Sequence, residues 1–222
     1  MTDSQSTTGA AAHLRDANQR DHRRAQLMDV ARRLFVAEGW AATSVASIVR
    51  EAGVAQGTFY LYFKSKEQLL VHLRGGVLAE YIGAFEAGAR GPGSADARLI
   101  AGMHEIDRAV RRNASLVRVF RQATTGDEAE LVWLDGRDTF AAPLTRLLVE
   151  GSQDGSFDLD DPKMAAHLVL ALFDDLLYAA HVHGRPASGR KTLTAGARFA
   201  LRGLGVPALR IDELVPLPGK SR

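Results

Sequence analysis

Gln56, Gly57, Thr58, Tyr60 and Tyr62 fall within one short stretch, with Phe59 among them. A Gln amide can pair bidentately with adenine, Thr and Tyr hydroxyls can bond phosphates, and a Gly lets the backbone approach closely. The chemistry these types offer is hydrogen bonding to the edges and backbone of a nucleic acid. The alternative is an ordinary helical hairpin with polar residues outside. That alternative leaves two outward tyrosines without a duty.

The elements that must position these groups can be read on either side. Thr43 offers a side-chain oxygen at an N-cap position, with Ser44 beside it, and Val45, Ile48 and Val49 supply the buried stripe of the helix that follows. Ala52, Gly53 and Val54 reverse the chain, Gly53 being free to take the positive φ that a sharp turn needs. The next helix, residues 54–61, spans about 12 Å, with Val54 and Phe59 as its core anchors. Ser65-Lys66-Glu67-Gln68 fits the capping-box pattern and starts another helix. Two short helices across a Gly turn form a helix-turn-helix, whose second helix suits a DNA major groove.

At these residues the chain resembles the tetracycline-repressor (TetR) family of bacterial one-component regulators. The resemblance rests on Thr43, Ile48, Ala52-Gly53-Val54, Gly57-Thr58-Phe59-Tyr60, Tyr62-Phe63 and Lys66-Glu67. It covers roughly residues 23–70 and is architectural beyond them. It implies that Gln56, Thr58, Tyr60 and Tyr62 touch DNA and that Thr43 and Lys66 hold phosphates. Ser44 and Gly57 complete the expected DNA-facing set. Gln56 departs from the Lys or Arg that many members carry there. The function implied is a homodimeric repressor of a palindromic double-stranded operator, released by a mainly apolar small-molecule effector. An activator of the same family is the alternative.

The chain has 222 residues, enough for one large or two small domains with a genuine core. It lacks cysteine, which removes disulfides and thiolate chemistry from consideration. Its start is polar, and no run approaches the consecutive apolar residues of a membrane span, so the expectation is a soluble, cytoplasmic protein. Net charge is +2. Residues 1–76 carry ten Lys and Arg against seven Asp and Glu, an excess compatible with DNA that decides nothing by itself.

Taken in order, residues 1–19 read as a disordered arm and 21–38 as a first helix. In that helix Leu27, Val30, Ala31, Leu34 and Phe35 form one stripe. Residues 20–66 make a three-helix DNA-binding domain. A fourth helix runs from the Ser65 cap to residue 87 or 88, interrupted by Gly75-Gly76, a pair that either admits a close neighbour or weakens the helix. Further helices are expected over 96–112, 114–123, 127–150 (kinked at Pro143), 162–183 and 188–204, and residues 205–222 read as a loose tail. The chain is all-α, with 67–204 as a larger effector-binding and dimerisation domain whose last two helices resemble the family's dimer-forming pair.

Met103, Phe120, Trp133, Phe140, Phe173 and Tyr178 are the large side chains that could line an effector pocket. At helical spacing such residues are more often plain core, and it is the resemblance that makes a pocket of them. His167, Asp174 and His181 share a helix face, but steps of seven place neighbours about 10.5 Å apart along the axis, too far for one metal ion. Neither a phosphate loop nor a nucleophile elbow is present, so no metal, cofactor or catalysis is expected. The rival from another class is a small-molecule-binding or catalytic helical protein whose hairpin is incidental. Arg108, Arg111, Arg112, Arg118 and Arg121 form a basic run, either a solvated face or an anion trap.

Overall fold

The computed structural model describes the backbone of residues 4–123, 127–181 and 186–217, and side chains within 18–123, 138–181 and 191–217. Among the described residues there are nine helices and no strand. They fall into two compact units, Met1–Arg74 and Gly75–Arg222.

The first unit holds α1 (Ser4–Glu38), α2 (Val45–Glu51), α3 (Gln56–Tyr60) and the opening turns of α4 (Lys66–Ala89). Its core is built from the stripe of α1, where Leu27, Val30, Ala31 and Phe35 are buried, against Ile48 and Val49, Phe59, Phe63, Leu69 and Leu70. The helix begins at Ser4, inside the stretch expected to be disordered. The apolar stripe starts only at Leu27, so the earlier turns carry no periodic signal to read.

The second unit holds the rest of α4 with α5 (Ala95–Ala123), α6 (Asp127–Asp154), α7 (Pro162–His181), α8 (Pro186–Gly203) and α9 (Ala208–Leu214). Phe85, Leu99, Met103, Ile106, Phe140, Leu144, Leu148, Val169, Phe173 and Leu201 belong to one apolar core. The two helices expected over 96–112 and 114–123 are a single helix. Asn113 does not break it, because its buried Nδ2 donates to the Ala109 carbonyl (3.0 Å) and to Glu80 Oε2 (2.9 Å). Pro143 lies inside α6. By length and hydropathy α7 could cross a membrane, but Ala166, Val169, Phe173, Leu177 and Ala180 are buried within this unit.

Gly75 and Gly76 lie within α4, and a Cβ added at either would meet nothing within 4 Å among the described residues. The pair therefore admits no close neighbour among them.

The expected loose tail is also corrected. Residues 208–214 form α9, whose Ile211 is fully buried. Two arginines hold it. Arg198 donates to the Val215 carbonyl (2.6 Å) and to Asp212 (2.5 Å), and Arg210 Nε donates to Asp96 Oδ2 (2.8 Å) at the start of α5. Burial alone would raise the Asp96 carboxyl. Hydrogen bonds from Arg210, Ser94 and the Ala97 amide outweigh burial and hold it below the usual carboxylate range.

A depressed folded-state pKa stabilises the fold above the unfolded-state value, about 3.9 for Asp, and that stabilisation is lost as pH falls through the lower folded value. Arg210→Ala should therefore destabilise the second unit by about 1–3 kcal/mol at neutral pH, measured by denaturant unfolding. The gap between wild type and variant should narrow below about pH 4.

Candidate nucleic-acid interface

Trp40 to Gln68 form a continuous series of turns and caps. Gly39, at φ +87°, ends α1 and lets residues 39–43 turn. Thr43 does not cap α2, contrary to expectation. It is only 1% exposed, and its Oγ1 donates to the Gly39 carbonyl (2.9 Å). The N-cap is Ser44. Its side chain accepts the Ser47 amide (3.0 Å), while Ser47 Oγ accepts the Ser44 amide (2.9 Å). Sequence reasoning misses Ser47 because the reciprocal capping pattern is usually Ser or Thr followed by Glu or Gln.

The turn after α2 closes as the sequence predicts. The Gly53 amide donates to the Arg50 carbonyl and the Val54 amide to the Val49 carbonyl, with Gly53 at φ +64°. This is the paired-hydrogen-bond stop that glycine favours after a helix. Gln26 Nε2 donates to the Ala52 carbonyl (3.0 Å) and ties α1 to the same turn.

The second helix of the pair is shorter than expected, Gln56–Tyr60 after an Ala55 cap. Val54 is only half-buried and Phe59 alone anchors α3, with its ring 5.5 Å from Phe63. Gln56, Gly57 and Tyr60 are exposed, Tyr60 by 53%, while Thr58 and Tyr62 are half-buried. Leu61, absent from the expected DNA-facing set, is 80% exposed beside them. Its signal in the sequence is an apolar residue lodged between two tyrosines.

Ser65 Oγ accepts the Gln68 amide (3.2 Å), but the Gln68 side chain reaches one residue further back, to the Lys64 amide (2.5 Å). Glu67, in the first turn of α4, is held below the usual carboxylate range by its own backbone amide and the Ser65 hydroxyl. Lys66 Nζ donates to the Trp40 carbonyl (2.9 Å) and the Thr43 carbonyl (2.8 Å). Ser44, Gln56, Gly57 and Tyr60 are thus the exposed members of the expected set. Thr43 is buried behind them and Lys66 is half-buried.

In the second unit, Met103 and Phe173 line a small apolar cavity with Leu99, Ile100, Val169, Ala197, Ala200 and Leu201. Its room, about 10 Å³, is that of roughly one water. Phe120 and Phe140 are buried but are not among the lining residues, and Phe140 packs 5.9 Å from Phe85. Tyr178 lies under the Arg121 guanidinium at 3.6 Å. Trp133 lies outside the described side chains.

The histidines go to separate carboxylates, His167 to Asp138 and His181 to Asp107. No cluster among the described residues could hold a metal ion. Arg108, Arg111 and Arg112 pair with Glu105, Asp107 and Glu80, which argues for a charged, solvated face over an anion trap.

A glycine-turned helix pair with an exposed polar second helix is a helix-turn-helix, the kind of element that enters a DNA major groove. Residues 27–73 match the family described as bacterial regulatory proteins, tetR family. The HTH-type transcriptional repressor KstR2 of Rhodococcus jostii is 28% identical over 153 residues, 65% of this chain and 72% of that protein. Two Bacillus subtilis regulators match over short spans, 14% and 31% of their own lengths. The second of these is the fatty acid metabolism regulator protein, 38% identical over 61 residues.

A TetR/AcrR-family regulator of Thermobifida fusca is 28% identical, with a TM-score of 0.64 over 82% of this chain and 98% of that one. The fold is also that of the Bacillus subtilis regulator FadR, solved with stearoyl-CoA, at 21% identity and a TM-score of 0.65 over 78% and 97% of the chains. Residues 27–73 thus match the tetR-family helix-turn-helix domain, and the chain as a whole resembles TetR/AcrR-family regulators in fold.

Ser44→Ala should destabilise the first unit by about 1 kcal/mol, read by chemical denaturation. An unchanged midpoint would mean that α2 does not depend on this cap.

Proposed function

We propose that the chain is a homodimeric repressor that reads a palindromic operator and is released by a mainly apolar small molecule. The observation that carries this reading is the exposed face of α3. Gln56, Gly57 and Tyr60 stand out from a helix whose one buried residue is Phe59. In this reading Gln56 and Tyr60 supply base contacts, Thr58 and Tyr62 join them through their hydroxyls, and Ser44 faces the phosphates. Thr43 supports the turn from inside.

A helix this short reads few bases, so two must act together, spaced about 34–36 Å along the duplex. A surface for pairing is available in the second unit. Met164 and Leu168 on α7 and Phe199 on α8 are exposed, Leu168 by 64% and Phe199 by 69%. Apolar side chains of this size left in water on neighbouring helices suit a contact with a second copy.

For the effector, Met103 and Phe173 are the two expected lining residues found in the apolar cavity. Its lining offers no polar surface, which supports an apolar molecule or an acyl chain such as that carried by the ligand of FadR. The cavity is too small for such a ligand as it stands, so binding must part α5, α7 and α8. The chain works by binding alone in this account, without catalytic chemistry or a cofactor, in the cytoplasm where its DNA is.

A gel shift on DNA upstream of the chain's own gene tests the reading. Retardation at nanomolar protein supports it, and its absence at micromolar protein overturns it in favour of an incidental hairpin. In that assay Gln56→Ala should relax the preference at one base position by about 1–3 kcal/mol and leave binding to other positions unchanged. Light scattering should give about twice 24.0 kDa. Phe199→Glu should return the monomer mass and lower operator affinity at least tenfold.

A further inference from the structure

Lys66 opens α4, and its position in the family pattern casts it as a phosphate ligand. The geometry gives it another occupation. An ammonium has three N–H donors, and two of them go to backbone carbonyls, Trp40 at 2.9 Å and Thr43 at 2.8 Å. The same nitrogen lies 4.0 Å from the centre of the Trp40 ring, within the range of a cation–π contact. Trp40 is backed in turn by Phe35, ring to ring at 5.2 Å.

These contacts converge on residues 39–43, the stretch with least order of its own. It contains no helical ladder. Its internal bonds run from the Thr43 amide (3.3 Å) and the Thr43 hydroxyl (2.9 Å) to one carbonyl, that of Gly39. Lys66 adds two bonds from a residue more than twenty positions away and closes the turn from the side of α4. Thr43 is the last residue before Ser44, whose cap starts α2. Whatever holds Thr43 therefore sets the position of Ser44.

We infer that Lys66 is a positioning residue. It locks the turn of residues 39–43 and, through it, places Ser44 and the first turn of α2, and it does not itself grip a phosphate. This rests on the DNA-binding reading above for its consequence, though not for its geometry. Two of its three N–H donors are already engaged with carbonyls, so a phosphate could be met only by the third.

The experiment uses the full chain with Trp133→Phe, which leaves Trp40 as the one tryptophan, since the chain has two. Lys66→Met keeps a long stem over the ring but removes every donor. Lys66→Arg keeps donors and charge. In the free protein, Lys66→Met should shift Trp40 emission to the red and speed amide exchange over residues 39–47, and Lys66→Arg should stay near the parent.

On operator DNA, Lys66→Met should weaken binding about tenfold or more with the slope of log affinity against log salt unchanged. A lost phosphate contact would instead reduce that slope by about 0.9. Trp40→Leu is the second variant, for the case in which Lys66→Met does not fold. The inference requires it to weaken operator binding without changing the slope, whereas a phosphate-holding Lys66 would leave its affinity unaltered.

The inference is overturned by a slope reduced by one contact in Lys66→Met. Unchanged emission and exchange in that variant would overturn it equally. If the parent binds no operator, the DNA reading fails, and the emission and exchange of the free variants still decide whether Lys66 holds the turn.

Discussion

A helix of five residues cannot hold itself together in water, where isolated helices shorter than about 12–15 residues are marginal. α3 is such a helix. Its backbone offers a handful of bonds, among them Thr58 to Ala55 and Phe63 to Phe59, and its shape is imposed from outside. Phe59, fully buried, sets its rotation. Rotation is what matters for function, because turning Phe59 inward leaves Gln56, Gly57 and Tyr60 facing out. A shift of one residue in that anchor would bury one of the residues proposed to read bases and expose a core one.

The supports of α3 are themselves local and short, which is why they come in series. Gly53 stops α2 with two backbone bonds, Ser44 and Ser47 start it with two side-chain bonds, and Gln26 fastens the end of α2 to α1. Each is worth about a kcal/mol by itself. Together they fix the angle between two helices that would not otherwise persist. The second unit follows a different logic. Its helices are long, its core is continuous, and close contacts such as Gly102 against the Phe85 ring set the distances between them.

The parts of this molecule that are legible in the sequence are those whose cause lies within a few residues. Gly53 at its turn, the Ser65 helix start, Phe59 as anchor and the helix beginning at Pro162 all have their partners nearby. The N-cap moves from Thr43 to Ser44 because both residues can cap, and only the inward turn of Thr43 separates them. Asn113 looks like a break until its long-range partner, Glu80, is in view. The tail with its prolines looks loose because Arg210 and Asp96 are 114 positions apart. The same holds for the candidate site: Lys66 and Trp40 meet across 26 residues, and no spacing rule connects them. The cavity gathers Leu99 with Val169 and Leu201, a set that only tertiary packing defines.

The central claim is that α3, presented twice by a dimer, reads a defined DNA sequence. Selection from a library of random duplexes tests it even though the operator is unidentified. The account predicts enrichment of a palindrome whose half-sites are centred about 10–10.5 base pairs, or a multiple of that spacing, apart. A library that emerges from successive rounds with no enriched motif would contradict it.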